Sequence, residues 1–270
     1  MGGAEIVARW AERPSVSPRL LELEVRGADP GAEALARYFR LDENPESHLE
    51  AAQELRAIPG FTDLLGMRIL RQDPWETLVS FICSAAANVR KISGAVEQMA
   101  ARWGEAIPGS DRRAFPPPAR LAALRERDLR AVGIGFRAPY VRAAAARIAR
   151  GPWDWEFFRE ASIEDARARL QELPGVGPKV ADCVLLFGLD RLDTYPVDRW
   201  IRRATLELTN RRRARDKELE AWSRRLGPGR GYLQQILFHL RRTGGPLPAL
   251  SPLPAPRPLR RARALPRPLR

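Results

Sequence analysis

At 270 residues, with 44% hydrophobic and 29% charged residues, the chain has room for one large or two smaller packed domains and the balance of a globular protein in water. A formal net charge of +13 favours an anionic partner, nucleic acid first. Two cysteines, Cys83 and Cys183, and two histidines, His48 and His239, exclude a disulfide framework and argue against a four-cysteine cluster, a zinc site or a histidine-rich centre, so neither a metal nor a cofactor is expected.

Residues 1–29 read as a small β unit. From Leu21 to Arg26 apolar and charged residues alternate as in a half-buried strand, and Ile6 to Trp10 could pair with it. Two strands make a poor sheet by themselves, so this unit reads as a fragment, a remnant of something larger. From Pro30 the period turns helical, with Ala34, Leu35, Tyr38 and Phe39 on one face. Helical segments then follow one another, broken at Ile58-Pro59-Gly60, Asp73-Pro74, Pro108-Gly109 and Pro116-Pro117-Pro118. Residues 30–242 therefore read as a helical body, and the fold class as mainly α. Residues 243–270 alternate proline, leucine and arginine and read as a disordered tail. That tail carries six arginines and no acid, and only three of the 46 basic residues of the chain are lysine. The positive charge thus owes much to an arginine bias that GC-rich coding alone can produce.

The segment 162–190 carries the most specific signal. Ser162 caps a helix with Asp165 in its first turn. Leu173-Pro174-Gly175-Val176-Gly177-Pro178-Lys179 follows, and then an apolar helix from Val180 with Pro178 in its first turn. Gly175 and Gly177 around one apolar residue, between two helices, spell a helix–hairpin–helix. Val176 would anchor the hairpin in the core, while the N–H groups at the start of the second helix can hold a DNA phosphate. A lone Gly-Val-Gly would be weak evidence; the full string with its helical flanks is much more selective.

Lys179 opens that second helix, where the helix N-terminus disfavours a second positive charge. A lysine that is neutral part of the time is a nucleophile. Asp198, in Tyr195-Pro196-Val197-Asp198, reads first as the N-cap of another helix. A carboxylate fixed in that way is also what an oxocarbenium-like transition state requires.

These strings, with Val180-Ala181-Asp182-Cys183 after the hairpin, resemble the helix–hairpin–helix DNA glycosylase superfamily, and more narrowly the 8-oxoguanine DNA glycosylase/AP lyases. Three further stretches carry the narrower likeness: Arg71 to Glu76 leading into Ser80-Phe81-Ile82-Cys83-Ser84, Gly133-Ile134-Gly135-Phe136-Arg137-Ala138, and Gly231 to Phe238. The resemblance runs from about Tyr38 to Arg242. It implies a two-lobed helical fold and a monomer that acts on duplex DNA carrying a damaged base or an abasic site. It also implies a bifunctional reaction: Lys179 attacks C1′ of a flipped nucleotide and forms a Schiff base, Asp198 stabilises the developing positive charge, and the strand is nicked by β-elimination. Gln234 would hydrogen-bond the base edge, Phe238 would stack on it, and Cys183 would lie beside it. Phe136 would enter the duplex and Arg137 would contact the orphaned base, although by side-chain type alone Phe136 reads as core and Arg137 as surface. Gly175, Val176, Gly177, Asn88 and Lys91 complete the expected DNA-binding set.

The chain departs from the family pattern in three places. Ala85-Ala86-Ala87-Asn88 keeps one asparagine where several are usual, and Lys91 stands in for an arginine that contacts the opposite base; both put strict preference for cytosine opposite the lesion in doubt. No counterpart of the glycine segment that reads N7 of 8-oxoguanine is found near the start, so the chain as given is expected to incise abasic sites more readily than it excises 8-oxoguanine. The proline–arginine tail has no family counterpart. Two other readings compete: a non-catalytic or truncated helix–hairpin–helix DNA-binding protein, and an alkyl-purine glycosylase, against which Lys179 argues because those monofunctional relatives need only the aspartate. No run of apolar residues approaches the ~20 that span a bilayer, and no secretory signal is evident at the start. The expected location is cytoplasmic (nucleoid-associated) or nuclear, not secreted, with no membrane partner.

Overall fold

The computed structural model describes residues 4–10, 21–151 and 153–250. It opens with two strands, β1 (Ala4–Trp10) and β2 (Leu21–Gly27), paired antiparallel with Ile6 opposite Val25 and Ala8 opposite Leu23. Helix α1 (Gly31–Tyr38) follows. Two 3₁₀ segments, Pro45–Ala57 and Thr62–Leu64, lead to α2 (Pro74–Ile82) and α3 (Val89–Trp103). Next come α4 (Pro118–Ala122), α5 (Glu126–Leu129), α6 (Ala138–Arg150) and α7 (Trp155–Glu160). The helices α8 (Ile163–Gln171), α9 (Pro178–Gly188), α10 (Arg199–Leu208), α11 (Asp216–Ser223) and α12 (Arg230–Thr243) complete the body. The chain is thus mainly α with one small β-hairpin, and the helix starts follow local chemistry. Asp73 accepts from Glu76 N at 2.8 Å ahead of Pro74, and Ser162 accepts from Asp165 N at 3.0 Å, each satisfying a donor that the helix leaves orphaned.

The apolar side chains form two cores. One gathers Leu78, Val79 and Ile82 of α2 with residues of α3, α6 and α8. The other gathers Leu55 and Phe61 with Ile201 and Leu208 of α10 and Leu233, Ile236 and Leu237 of α12. Helix α9 belongs to both: Ala181, Val184 and Leu185 enter the first core, and the next residue, Leu186, enters the second. Each such leucine contributes roughly 1.5–3 kcal/mol by leaving water, so α9 is held from two sides. Its last residue, Gly188, approaches Pro74 so closely that a Cβ would stand 2.9 Å from the Pro74 Cα. Just beyond, Asp190 adopts a φ of +62° and accepts from the guanidinium groups of Arg40 and Arg71. Arg40 is only 1% exposed, with Nε donating to the Ile69 carbonyl at 2.8 Å and Nη1 to Glu43 at 2.8 Å.

At the chain ends two expectations meet the coordinates. The Ser110 hydroxyl donates to the Glu5 carboxylate, which ties the β-hairpin to the helical body. Placing the end of the packed chain at Arg242 is too early. Helix α12 runs on to Thr243, the Leu247 N–H donates to Glu207 at 2.9 Å, and that of Leu250 donates to the Leu208 carbonyl at 3.0 Å. Leucines interspersed among prolines cover the second core here, which composition alone does not reveal. The rest of the expected tail, residues 251–270, lies outside the described residues. Among the described residues no helix is long and apolar enough to cross a membrane.

Candidate active site

The hairpin between α8 and α9 is built from its glycines and one anchor. Gly175 has a φ of +84°, and a Cβ there would meet the Tyr140 side chain at 2.7–3.0 Å, so the position requires glycine both for its backbone and for the ring against it. Val176 is 6% exposed and packs in the first core. Gly177 is different: its φ is an ordinary −89°, it is the N-cap of α9, and nothing lies within 4 Å of where its Cβ would be. As at any helix start, the first N–H groups of α9 lack intrahelical acceptors, and an anion finds donors there.

Lys179, half-buried in the first turn of α9, reaches across to α2. Its Nζ lies 3.3 Å from the Ser84 Oγ and 5.0 Å from the centre of the Phe81 ring. Phe81 is itself stacked on Phe187 at 5.4 Å. One turn along α9, Cys183 is buried, and burial pushes its thiol up to about 12; Lys179 offsets part of that, while Asp182 and Asp198 add to it. The thiol is therefore neutral, and it feels the charges of both Lys179 and Asp198, so the sequence-separated lysine and aspartate share one neighbourhood. Asp182, next to it, is structural: it pairs with Arg167 at 2.7 Å, and Arg167 pairs in turn with Glu220 at 2.9 Å. Burial raises the Asp182 carboxyl to about 6 against the pull of Arg167.

Asp198 caps α10 as its position predicts. A single oxygen, Oδ1, accepts from Trp200 N at 2.9 Å and Ile201 N at 2.8 Å. Among the described residues Oδ2 has no hydrogen-bond partner, so capping leaves one carboxylate oxygen for other work. Gln234, 3% exposed on α12, donates from Nε2 to the Pro196 carbonyl at 3.1 Å, two residues from Asp198. Its Oε1 accepts from Gln235 at 2.6 Å. A primary amide has two N–H donors and two lone pairs, so one of each is left for a ligand. Phe238, one turn further along α12, packs at the edge of the second core, with the Arg242 guanidinium 5.8 Å from its ring centre.

The loops at 84–88 and 133–137 carry a reversal. Phe136 is 54% exposed and Arg137 only 8%, the opposite of what side-chain type suggests. The turn explains it. Gly133 and Gly135 take φ values of +84° and +55°, which swing Phe136 outward and drop Arg137 beneath it. Arg137 then donates from Nε (2.6 Å) and Nη2 to the Ala85 carbonyl, and from Nη1 to the Ile134 carbonyl at 3.1 Å. Its guanidinium also lies 4.5 Å from the Phe136 ring centre. Arg137 is thus bound to two backbone carbonyls within the chain. Asn88 is exposed and caps α3 by accepting from Lys91 N at 2.9 Å, while the Lys91 side chain is open to solvent. Ser84, Phe81 and Tyr140 are the contributors that sequence reasoning gave no role. Ser84 sits 95 positions from Lys179, and no local pattern marks such a contact.

No protein-family model matches the chain. It is 36% identical over 203 residues to the probable N-glycosylase/DNA lyase of Methanothermobacter thermautotrophicus, covering 66% of this chain and 65% of that one. It spans 48–65% of the length of the curated relatives it matches. Among solved structures it superposes on MBOgg1, in complex with a low-affinity DNA ligand, with a TM-score of 0.74, 30% identity, and coverage of 88% of this chain and 89% of that chain. It also superposes on the apo-form of the Clostridium acetobutylicum 8-oxoguanine glycosylase/lyase with a TM-score of 0.68 and 30% identity, over 77% of this chain and 74% of that one.

Proposed function

The chain belongs to the 8-oxoguanine DNA glycosylase/lyase family of the helix–hairpin–helix superfamily, and from that premise we propose that it excises an oxidised purine from duplex DNA and then cuts the strand. The observation that carries the reading is a lysine held at the start of α9 by Ser84 and Phe81, with Asp198 fixed as the cap of α10 and the charges of both acting on the buried Cys183. C1′ of a stacked nucleotide is out of reach, so the base must leave the helix. The hairpin amides and the start of α9 hold the backbone, and the exposed Phe136 enters the stack that the nucleotide vacates.

The chemistry then follows from the groups in place. The Lys179 amine attacks C1′ while the C1′–N9 bond breaks, and the base departs with the bonding pair. Asp198, fixed by two backbone N–H groups, offsets the positive charge that develops on the sugar. Loss of a proton from Nζ and opening of the sugar ring give a Schiff base. Removal of a C2′ proton then expels the 3′ phosphate. Gln234 offers its remaining donor and lone pair to the base edge, Phe238 a face for stacking, and Cys183 a neutral, apolar wall. Asn88 and Lys91, both exposed at the start of α3, are offered to the opposite strand. The substrate is duplex DNA with a damaged base or an abasic site, the enzyme works as a monomer, and its place of action is where DNA lies, in the cytoplasm or the nucleus.

Single-turnover assays on matched duplexes test this. A duplex with one abasic site should be nicked without added alkali, and faster than one carrying 8-oxoguanine opposite cytosine. A chain that binds both and cuts neither would return the reading to a DNA-binding module.

A further inference from the structure

Lys179 does not sit free at the hairpin mouth; α2 holds it. The Ser84 hydroxyl has one proton, and it donates that proton to the Phe81 carbonyl at 2.7 Å. Its lone pairs are what remain for Lys179 at 3.3 Å, so Ser84 can only accept from Nζ. The face of the Phe81 ring, 5.0 Å from Nζ, adds a second and softer hold. The turn that presents Ser84 is fixed in its own right: Ser84 N donates to the Phe81 carbonyl at 3.1 Å, Ala87 N to the Ser84 carbonyl at 3.2 Å, and Arg137 clamps the Ala85 carbonyl between them.

We infer that Ser84 is a positioning residue for Lys179: its oxygen, with its own proton committed elsewhere, accepts from Nζ and fixes the direction in which the amine presents its lone pair. A tetrahedral amine with one N–H committed to Ser84 has its lone pair confined to the remaining directions. A free lysine, with its several rotatable bonds, would spread that lone pair over many orientations. Orientation of a reacting atom is a large part of an enzyme's advantage. The inference rests on the reading of Lys179 as the nucleophile, and it adds a specific group on another helix as the part that aims it.

The test uses the full chain and a duplex with one abasic site, with borohydride trapping followed under single-turnover conditions and duplex affinity measured in parallel. Ser84→Ala should slow trapping about tenfold, the scale of one lost hydrogen bond, while duplex affinity stays at the wild-type value. Ser84→Thr keeps the hydroxyl and should restore most of the rate. Wild-type speed in Ser84→Ala would overturn the inference. So would equal slowing in both variants, since packing and not the hydroxyl would then matter. A wild-type chain that never traps would instead sink the nucleophile assignment itself, a distinct failure.

Discussion

The hairpin at residues 173–179 and the paired loops at 84–88 and 133–137 meet where Lys179 reaches Ser84 but are built on opposite plans. The hairpin is nearly self-contained. It needs a glycine at 175, a buried Val176 and a proline in the first turn of α9, all within seven residues, plus one ring, Tyr140, to lean on. The paired loops depend on each other: Arg137 reaches 52 positions along the chain to satisfy the Ala85 carbonyl, and Ser84 reaches 95 to meet Lys179. The contrast teaches where function can be read from order of residues and where it needs coordinates. Asp198 belongs with the first plan, since its anchors are the N–H groups two and three residues on.

The sharpest way to probe the local plan is to separate the two jobs of Asp198. Asparagine caps helices as well as aspartate does, so Asp198→Asn should keep thermal stability while lowering the single-turnover excision rate by roughly 100-fold or more. Asp198→Ala should lose the same activity and also about 1 kcal/mol of stability with the cap, measured by urea unfolding. Equal activity in the asparagine variant would leave Asp198 as a cap and nothing else.

Gly175→Ala comes next. It forces an alanine into a φ of +84° and a Cβ against Tyr140, which should destabilise the fold by about 3 kcal/mol. Combining it with Tyr140→Ala should recover the steric part and leave the backbone part. A Gly175→Ala variant as stable as wild type would show that the hairpin relaxes freely and is less self-contained than argued.

Arg137→Ala probes the paired loops. It leaves the Ala85 and Ile134 carbonyls without their donor, at a cost of roughly 2 kcal/mol. Hydrogen exchange should rise in both loops together, although they are far apart in the chain. Exchange confined to residues 133–137 would break the claim that the loops are one unit.

The smallest effect concerns the thiols. Burial pushes both Cys83 and Cys183 up to about 12, from an ordinary 9.0. The folded chain thus favours the protonated thiols. That contribution to stability is complete below pH 9 and is lost as pH rises towards 12. Alkylation at pH 8 should be slow in the folded protein and ordinary in urea. Fast labelling of the folded chain would mean that Cys183 is not sealed beside Lys179.

These tests also bear on how far the sequence could be read. The hairpin, the caps at Ser162 and Asp198 and the pairing of β1 with β2 were legible because each rests on neighbours in the chain or on a two-residue period. Arg137 and Arg40 were not, because an arginine reads as surface until three-dimensional packing supplies carbonyls and carboxylates to receive it. The packed segment with Leu247 and Leu250 was missed for a related reason: its composition is that of a tail, and only the apolar face left by α10 and α12 makes it part of a core. Lys179 and Asp198 could each be picked out, whereas their shared neighbourhood around Cys183 had to be seen.

One measurement bears most directly on the central claim, that Lys179 is the nucleophile. The wild-type chain and Lys179→Gln are each incubated with borohydride and a labelled duplex that carries one abasic site, and duplex binding is recorded alongside. The account predicts a covalent complex with the wild type, none with Lys179→Gln, and binding by both. A covalent complex that persists in Lys179→Gln would place the reacting amine elsewhere and contradict it.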